Sequence, residues 1–289
     1  MILIADSGST KASWCLANTQ GGFFFETEGY NPYFIDSGYM IGSLQKMLPL
    51  GVNSNGVTAI YFYGAGCSPD KVHIIENALR SIFVNAKCYI EDDMLAAARA
   101  LFGSKSGFAA ILGTGTNTCM YDGGRIAQNI DSLGFILGDE GSGGSMGKRL
   151  VGDYIRETMP ADLRMTFFRT YNFSANELID HIYSQPMPNR FCAAFSRFLY
   201  DHIQTEYAQK VIRDSFGQLF INLVSRYPDY QDYTFNSVGS VGYYFRDILA
   251  DVAKIYGMQL GSIIKSPIRE LNNYHLALSG QRINPSALL

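Results

Sequence analysis

The residues that could do chemistry gather in short turns rich in glycine and hydroxyl side chains. In "DSGSTK" (Asp6 to Lys11), a carboxylate closes one strand and a turn of small residues leads to a lysine. Small residues let backbone N–H groups converge on an anion, and Lys11 adds positive charge. Asp6 is placed to hold a hydrated divalent cation, because Mg2+ prefers one or two carboxylates and keeps its waters. Taken alone, a plain β-hairpin turn explains this stretch better, and it lacks the GxxxxGK[ST] pattern of a P-loop. A second turn, "GTGTNT" (Gly113 to Thr118), offers similar donors and the amide of Asn117. Two such turns weigh more than one, since a triphosphate needs donors from both walls of a cleft. The weaker "VGSVG" (Val238 to Gly242) would let a base or ribose lie against the backbone at Gly239 and Gly242.

Two acidic pairs complete the set. Asp92 and Asp93 stand where a strand turns into the helix "MLAAARALF". They suit helix capping, and one of them suits accepting a proton from a substrate hydroxyl. The pair is adjacent, so both roles can hold. In "LGDEGSGG" (137 to 144), Asp139 and Glu140 sit among glycines directly before a helix. Either a polar ligand site or a turn with a helix cap accounts for that.

The elements that must position these residues alternate. "ILIAD", "ASWCLA" and "GFFFETE" read as a three-strand meander. Residues 39 to 50 and 70 to 84 carry helical spacing, "VTAIYFYGAG" and "KCYIE" are strands, and the helix from Asp93 stops at Gly103. After the linker "GSKSG" (103 to 107) the pattern restarts with "FAAILG", "TCMYDG" and "GRIAQNI". Helical spacing then covers 145 to 157, 189 to 204, 206 to 226 and 242 to 256, with a strand near "YTFNSVG". A repeated meander with helices predicts two related α/β domains and a ligand cleft.

Composition narrows the partners. The 289 residues carry a net charge of −3, which does not suggest a nucleic acid as partner. The five cysteines and four histidines show no metal-ligand spacing, so reduced buried thiols are expected. The N-terminus opens into a strand without a basic flank or a long apolar run, so neither a signal peptide nor a membrane span is expected.

In order along the chain, "ADSGSTK", "EDD", "ILGTGTN", "LGDEGSGG" and "VGSVG" resemble the motifs of sugar kinases and ATPases of the actin/hexokinase/Hsp70 superfamily. More narrowly, they resemble the family that groups N-acetylglucosamine kinase with BadF/BadG/BcrA/BcrD-type ATPases. The match runs from Ile2 to Gly242, and five permissive motifs in order are specific together. The resemblance implies two ribonuclease H-like, actin-like ATPase domains, residues 1–104 and 105–289, with nucleotide and sugar in the interdomain cleft. The last residues would pack back on the first domain.

ATP and Mg2+ are the implied cofactors. The resemblance makes Asp93 the catalytic base and has Asp6 hold the metal through water. Ser9, Thr10 and Lys11 would flank the phosphates, Gly113, Thr114 and Gly115 would face ATP, and Gly239 and Gly242 the adenosine. An amino sugar would meet Asn31 of "GYNPYF", Thr116, Asn117, Ser132, Leu133, Gly134 and Asp139, with Glu140 as a supporting charge. The chain departs from the family where Gly144, Ser145 and Met146 replace aromatic residues, and where "SPIREL" keeps Pro267 but lacks a following Gly-Ala.

The implied reaction is ATP-dependent phosphorylation of an amino sugar, first of all N-acetylglucosamine at its 6-hydroxyl. It would take place in the cytoplasm, with no nucleic-acid or membrane partner and with a homodimer as the assembly to look for. One alternative is an ATPase activator of a dehydratase or reductase. Such activators hold an iron–sulfur cluster between subunits through two cysteines per chain, in a context none of the five here shows. The other is a sugar-responsive binding protein on a kinase scaffold, against which Asp93 argues.

Overall fold

A computed structural model describes residues 1–18, 21–50 and 52–278 and separates the chain into two compact units. The first holds Met1–Lys105, Gly123–Arg125 and the described residues from Ser266 on; the second holds Ser106–Asp122 and Ile126–Lys265.

The first unit opens with β1 (Ile2–Ser7), β2 (Lys11–Asn18) and β3 (Gly21–Glu28), an antiparallel meander. Then come α1 (Ser37–Met47), β4 (Ala59–Gly64), α2 (Val72–Ile82), β5 (Lys87–Asp92) and α3 (Asp93–Phe102). The sheet order is β3-β2-β1-β4-β5, with β1, β4 and β5 parallel. Trp14 centres the core: its ring stacks on Phe25 at 5.8 Å, and its Nε1 donates to Thr27 Oγ1 at 2.9 Å. The α2 stripe of Ile75, Ala78, Leu79 and Ile82 follows the i, i+3, i+4, i+7 spacing of a helix with one buried face.

The second unit repeats the plan. Its meander is β6 (Gly107–Leu112), β7 (Thr116–Tyr121) and β8 (Ile126–Asn129). Helices follow: α4 (Gly134–Leu137), α5 (Gly143–Ile155), α6 (Ala161–Tyr171), α7 (Ala175–Tyr183), α8 (Pro188–Ala194), α9 (Ser196–Asp201) and α10 (Glu206–Asn222). After them come β9 (Phe235–Val238), α11 (Ser240–Tyr244), α12 (Arg246–Ile255) and β10 (Leu260–Ile264). The order β10-β9-β6-β7-β8 mirrors the first sheet, with β9 and β10 parallel to β6. The chain ends its described course in the first unit as α13 (Ile268–Leu278), packed on α3, β1 and β2.

The repeated meander is as the sequence predicts, but two long helical stretches are broken. Residues 189–204 divide at Phe195 and 242–256 divide at Phe245, each the junction of two short helices. Helices α6 and α7 bury only Leu163, Phe167 and Leu178, too few apolar positions to announce a period. Strand β10 has five residues, two of them exposed, and leaves no alternation to read. No described helix is long and apolar enough to cross a membrane.

Helices α5 and α8 touch backbone to backbone. A Cβ added at Gly147 would lie 1.8 Å from the Cys192 carbonyl oxygen, whereas one at Gly152 would meet only the end of the Arg156 side chain, at 3.4 Å. Gly152→Ala should therefore stabilise the protein by up to ~1 kcal/mol through helix propensity. Gly147→Ala in the same helix should instead cost about 1–3 kcal/mol or more by overpacking. Urea unfolding of both variants checks the opposite signs.

Candidate functional site

In the first unit, three loops leave the carboxyl ends of neighbouring parallel strands, where ligands of open α/β sheets commonly bind. Ser7 ends β1, Gly64 pairs with it on β4, and Asp92 pairs with Gly64 on β5. The first turn is closed by Gly8 N–H donating to the Lys11 carbonyl at 3.0 Å. The N–H groups of Ser9 and Thr10 meet no protein acceptor among the described residues. That is the arrangement an anion requires. Lys11 points elsewhere, its Nζ 2.6 Å from Glu26 Oε1 in an exposed pair that contributes little to stability.

The adjacent acids divide their work. Asp92 is the N-cap of α3, its Oδ1 accepting from Leu95 N–H at 2.7 Å. Asp93 is thereby freed from capping. Burial first, and then the Asp92 charge, push its carboxyl up to about 7, against the pull of its own and Met94 backbone N–H groups. Asp6 is also raised to about 7, by burial and then by Asp93, with Lys11 opposing. Two half-buried, desolvated carboxyls that feel each other favour a shared proton or a bound cation.

Asn31 is buried, and its Oδ1 accepts from Tyr33 N–H at 3.0 Å. Its amide nitrogen has no protein acceptor among the described residues and remains available as a donor. Gly66, at φ +79°, makes room for it, since a Cβ there would stand 2.5 Å from Asn31 Oδ1. Cys67 adjoins the acids: burial and then the charges of Asp93 and Asp92 raise its thiol to about 12. Sequence reasoning missed Ser7, Gly66 and Cys67. The glycines that close β4 in "YGAGC" are the one visible signal.

In the second unit the "GTGT" turn is held from behind. Gly113 N–H donates to the Gly115 carbonyl at 3.0 Å, while the carbonyls of Gly113 and Thr114 accept from Gly143 and Gly144 at 2.8 and 3.0 Å. The N–H groups of Thr114 and Gly115 have no protein acceptor among the described residues, matching Ser9 and Thr10 in the first unit. Asp139 adopts φ +57°, and its Oδ1 accepts from Thr116 N–H at 3.0 Å. Burial raises its pKa, against the Thr116 N–H and the Ser132 hydroxyl. It does not cap the following helix: Ser142 does, accepting from Ser145 N–H at 3.0 Å.

Other expected site residues are engaged within the protein. Thr116 Oγ1 donates to the Glu140 carbonyl at 2.7 Å, and Glu140 Oε1 accepts from Asn222 at 2.6 Å. Asn117 Oδ1 accepts from Thr118 N–H and from the Asn129 amide. Leu133 and Gly134 both have positive φ and lead into the short α4, where Leu133 is exposed. Gly239, at φ +125°, lies against the Leu112 carbonyl, which a Cβ would approach to 2.2 Å; one on Gly242 would lie 2.5 Å from Ser237 Oγ. The turn they form borders a cavity of about 150 Å³ lined by Ser196, Arg197, Tyr200, Ser240, Tyr244 and Phe245 among others.

Known structures share this architecture. A candidate N-acetylglucosamine kinase from Porphyromonas gingivalis is 38% identical over 95% of this chain and 98% of its own, with a TM-score of 0.91. The chain belongs to the N-acetylglucosamine kinase family. At lower identity, a second candidate N-acetylglucosamine kinase, from Chromobacterium violaceum, has the same fold (14% identity, 94% and 98% covered, TM-score 0.67). So does a ROK family glucokinase from Streptomyces griseus, in complex with glucose and AMPPNP (12%, 94% and 97%, TM-score 0.57). No family model and no curated protein sequence matches the chain. The fold of this family member is thus that of the two-domain actin-like sugar kinases.

The raised carboxyls give a signed prediction. A group lifted from 3.8 to about 7 contributes its stability fully below pH 3.8 and loses it as pH rises through 7. Without nucleotide or metal, Asp93→Asn should therefore melt higher than the native protein at pH 8, and the difference should close as pH falls toward 4. Asp92→Ala, which removes the cap, should cost about 1 kcal/mol at pH 8 instead. Calorimetry of both variants across that range is the check.

Proposed function

We propose that this sugar kinase transfers the γ-phosphoryl group of ATP to an amino sugar, at the 6-hydroxyl of N-acetylglucosamine. The observation that carries the reading is Asp93: a half-buried carboxylate at a helix start, relieved of capping by Asp92, beside Asp6 and a turn with unused N–H donors. A largely dissociative phosphoryl transfer asks little base strength, so Asp93 needs only to orient the hydroxyl and take its proton. The 38% identity to a candidate N-acetylglucosamine kinase supports the choice of sugar.

The unused N–H groups of Ser9 and Thr10 suit phosphate oxygens, and so do those of Thr114 and Gly115. The cavity beside Ser240, with the Tyr200 and Tyr244 rings 5.2 Å apart, suits the adenine. Asp6 fits Mg2+: a half-buried carboxyl with a raised pKa gains from a cation and can hold it through water. When bound, Mg2+ would neutralise charge on the phosphate oxygens. The Asn31 amide suits a sugar hydroxyl, and the Asp139 carboxylate suits one as well. The protein would act in the cytoplasm on a small amino sugar.

An ATP-consumption screen over N-acetylglucosamine, glucosamine, N-acetylmannosamine, N-acetylmuramic acid and glucose tests this. N-acetylglucosamine should give the highest kcat/KM, with the phosphate on O6 by NMR. Asp93→Asn should lower kcat by about 10²–10⁴-fold while nucleotide still binds. Asp139→Ala should lower kcat/KM for the sugar at least roughly tenfold and move KM for ATP far less. ATP hydrolysis indifferent to every sugar, together with stoichiometric iron and sulfide, would favour the ATPase-activator reading.

A further inference from the structure

One buried serine joins three loops of the first unit. Ser7, fully buried at the end of β1, accepts at Oγ from Tyr30 N–H at 2.8 Å, with the Tyr30 carbonyl 3.4 Å away. Its own carbonyl accepts from Ala65 N–H at 2.9 Å. Asn31, with its proposed ligand role, follows Tyr30, and Gly66, which makes room for Asn31, follows Ala65. The opposite side of the bracket is the phosphate turn. Gly29 N–H donates to the Thr10 carbonyl at 3.0 Å, and a Cβ on Gly29 would stand 2.2 Å from the Gly8 carbonyl oxygen. The loop carrying Asn31 and the turn carrying Ser9 and Thr10 therefore lie backbone against backbone, with the Ser7 hydroxyl as the side-chain link.

We infer that Ser7 is a positioning residue that couples the two substrates: a sugar held by Asn31 fixes Tyr30 and Gly29, and these hold the Ser9 and Thr10 donors in place for the nucleotide. The inference rests on the proposed kinase function and concerns contacts within the first unit alone. Coupling of this kind is reciprocal, since whatever the sugar gains in nucleotide affinity the nucleotide returns to the sugar. Removing the hydroxyl leaves the Tyr30 N–H unpaired in a buried place, loosening the loop relative to the turn.

The test is calorimetric binding of AMPPNP with and without saturating N-acetylglucosamine. In the native protein the sugar should tighten AMPPNP at least about fivefold, within the usual range of coupling between sites. Ser7→Ala should bring that factor close to one, and Ser7→Thr, which keeps the hydroxyl, should restore it. A serine that merely stabilised the fold would lower the melting temperature and leave the factor unchanged. Hydrogen exchange on the native protein needs no variant: sugar alone should protect the amides of Gly8 to Lys11. Unchanged exchange there, or coupling that survives Ser7→Ala, overturns the inference while the kinase reading stands. If no sugar of the panel binds the native protein, the kinase reading itself falls.

Discussion

Backbone packed against backbone at the strand ends is the constraint on which the site depends. A hydrogen-bonding surface of N–H groups can face a ligand only if the carbonyls behind it are satisfied elsewhere. In the first unit Gly29 takes the Thr10 carbonyl; in the second, Gly143 and Gly144 take those of Gly113 and Thr114. Two of the three contacts are too close for a side chain: a Cβ would fall 2.2 Å from Gly8 O at Gly29 and 2.9 Å from Thr114 O at Gly144. The glycines thus serve the protein's own packing, and the turns present their donors as a consequence.

The electrostatics follow from that packing. Asp6 and Asp93 stand half-buried at the ends of β1 and β5, and desolvation there is the largest cause of their raised pKa values. The site carries carboxylates whose charge the folded protein disfavours and which a cation or a proton from substrate relieves. Asp139 shows the same logic more mildly, raised by burial but steadied by the Thr116 N–H and Ser132 hydroxyl. Stability given up at such groups is the usual signature of residues kept for chemistry.

The repeated plan of the two units was legible in the sequence because a meander has a local signature. Three short β-type runs separated by Gly, Ser, Thr or Asn turns occur at "ILIAD" and again at "FAAILG", and both fold as read. Helices with a full apolar stripe, such as α2, were legible for the same reason. Helices α6, α7 and α13 and strand β10 were not, because each buries few side chains or faces a partner distant in sequence.

Within the site, the sequence determined which residue types stand where: the acids at 92 and 93, the glycine turns at 8 and 113, and the acidic loop at 139. It left open which of two adjacent acids caps and which is free, and whether Asp139 capped a helix. Only tertiary structure decided these, because capping depends on where the chain leaves its strand, and that is set by the neighbouring strand ends. It assigned Asp92 and Ser142 to the caps. It turned Lys11 toward Glu26 on β3. It also brought Ser7, silent in sequence, against Tyr30. Composition and spacing are local properties of the chain, whereas burial and hydrogen-bond partnership belong to residues that meet only after folding.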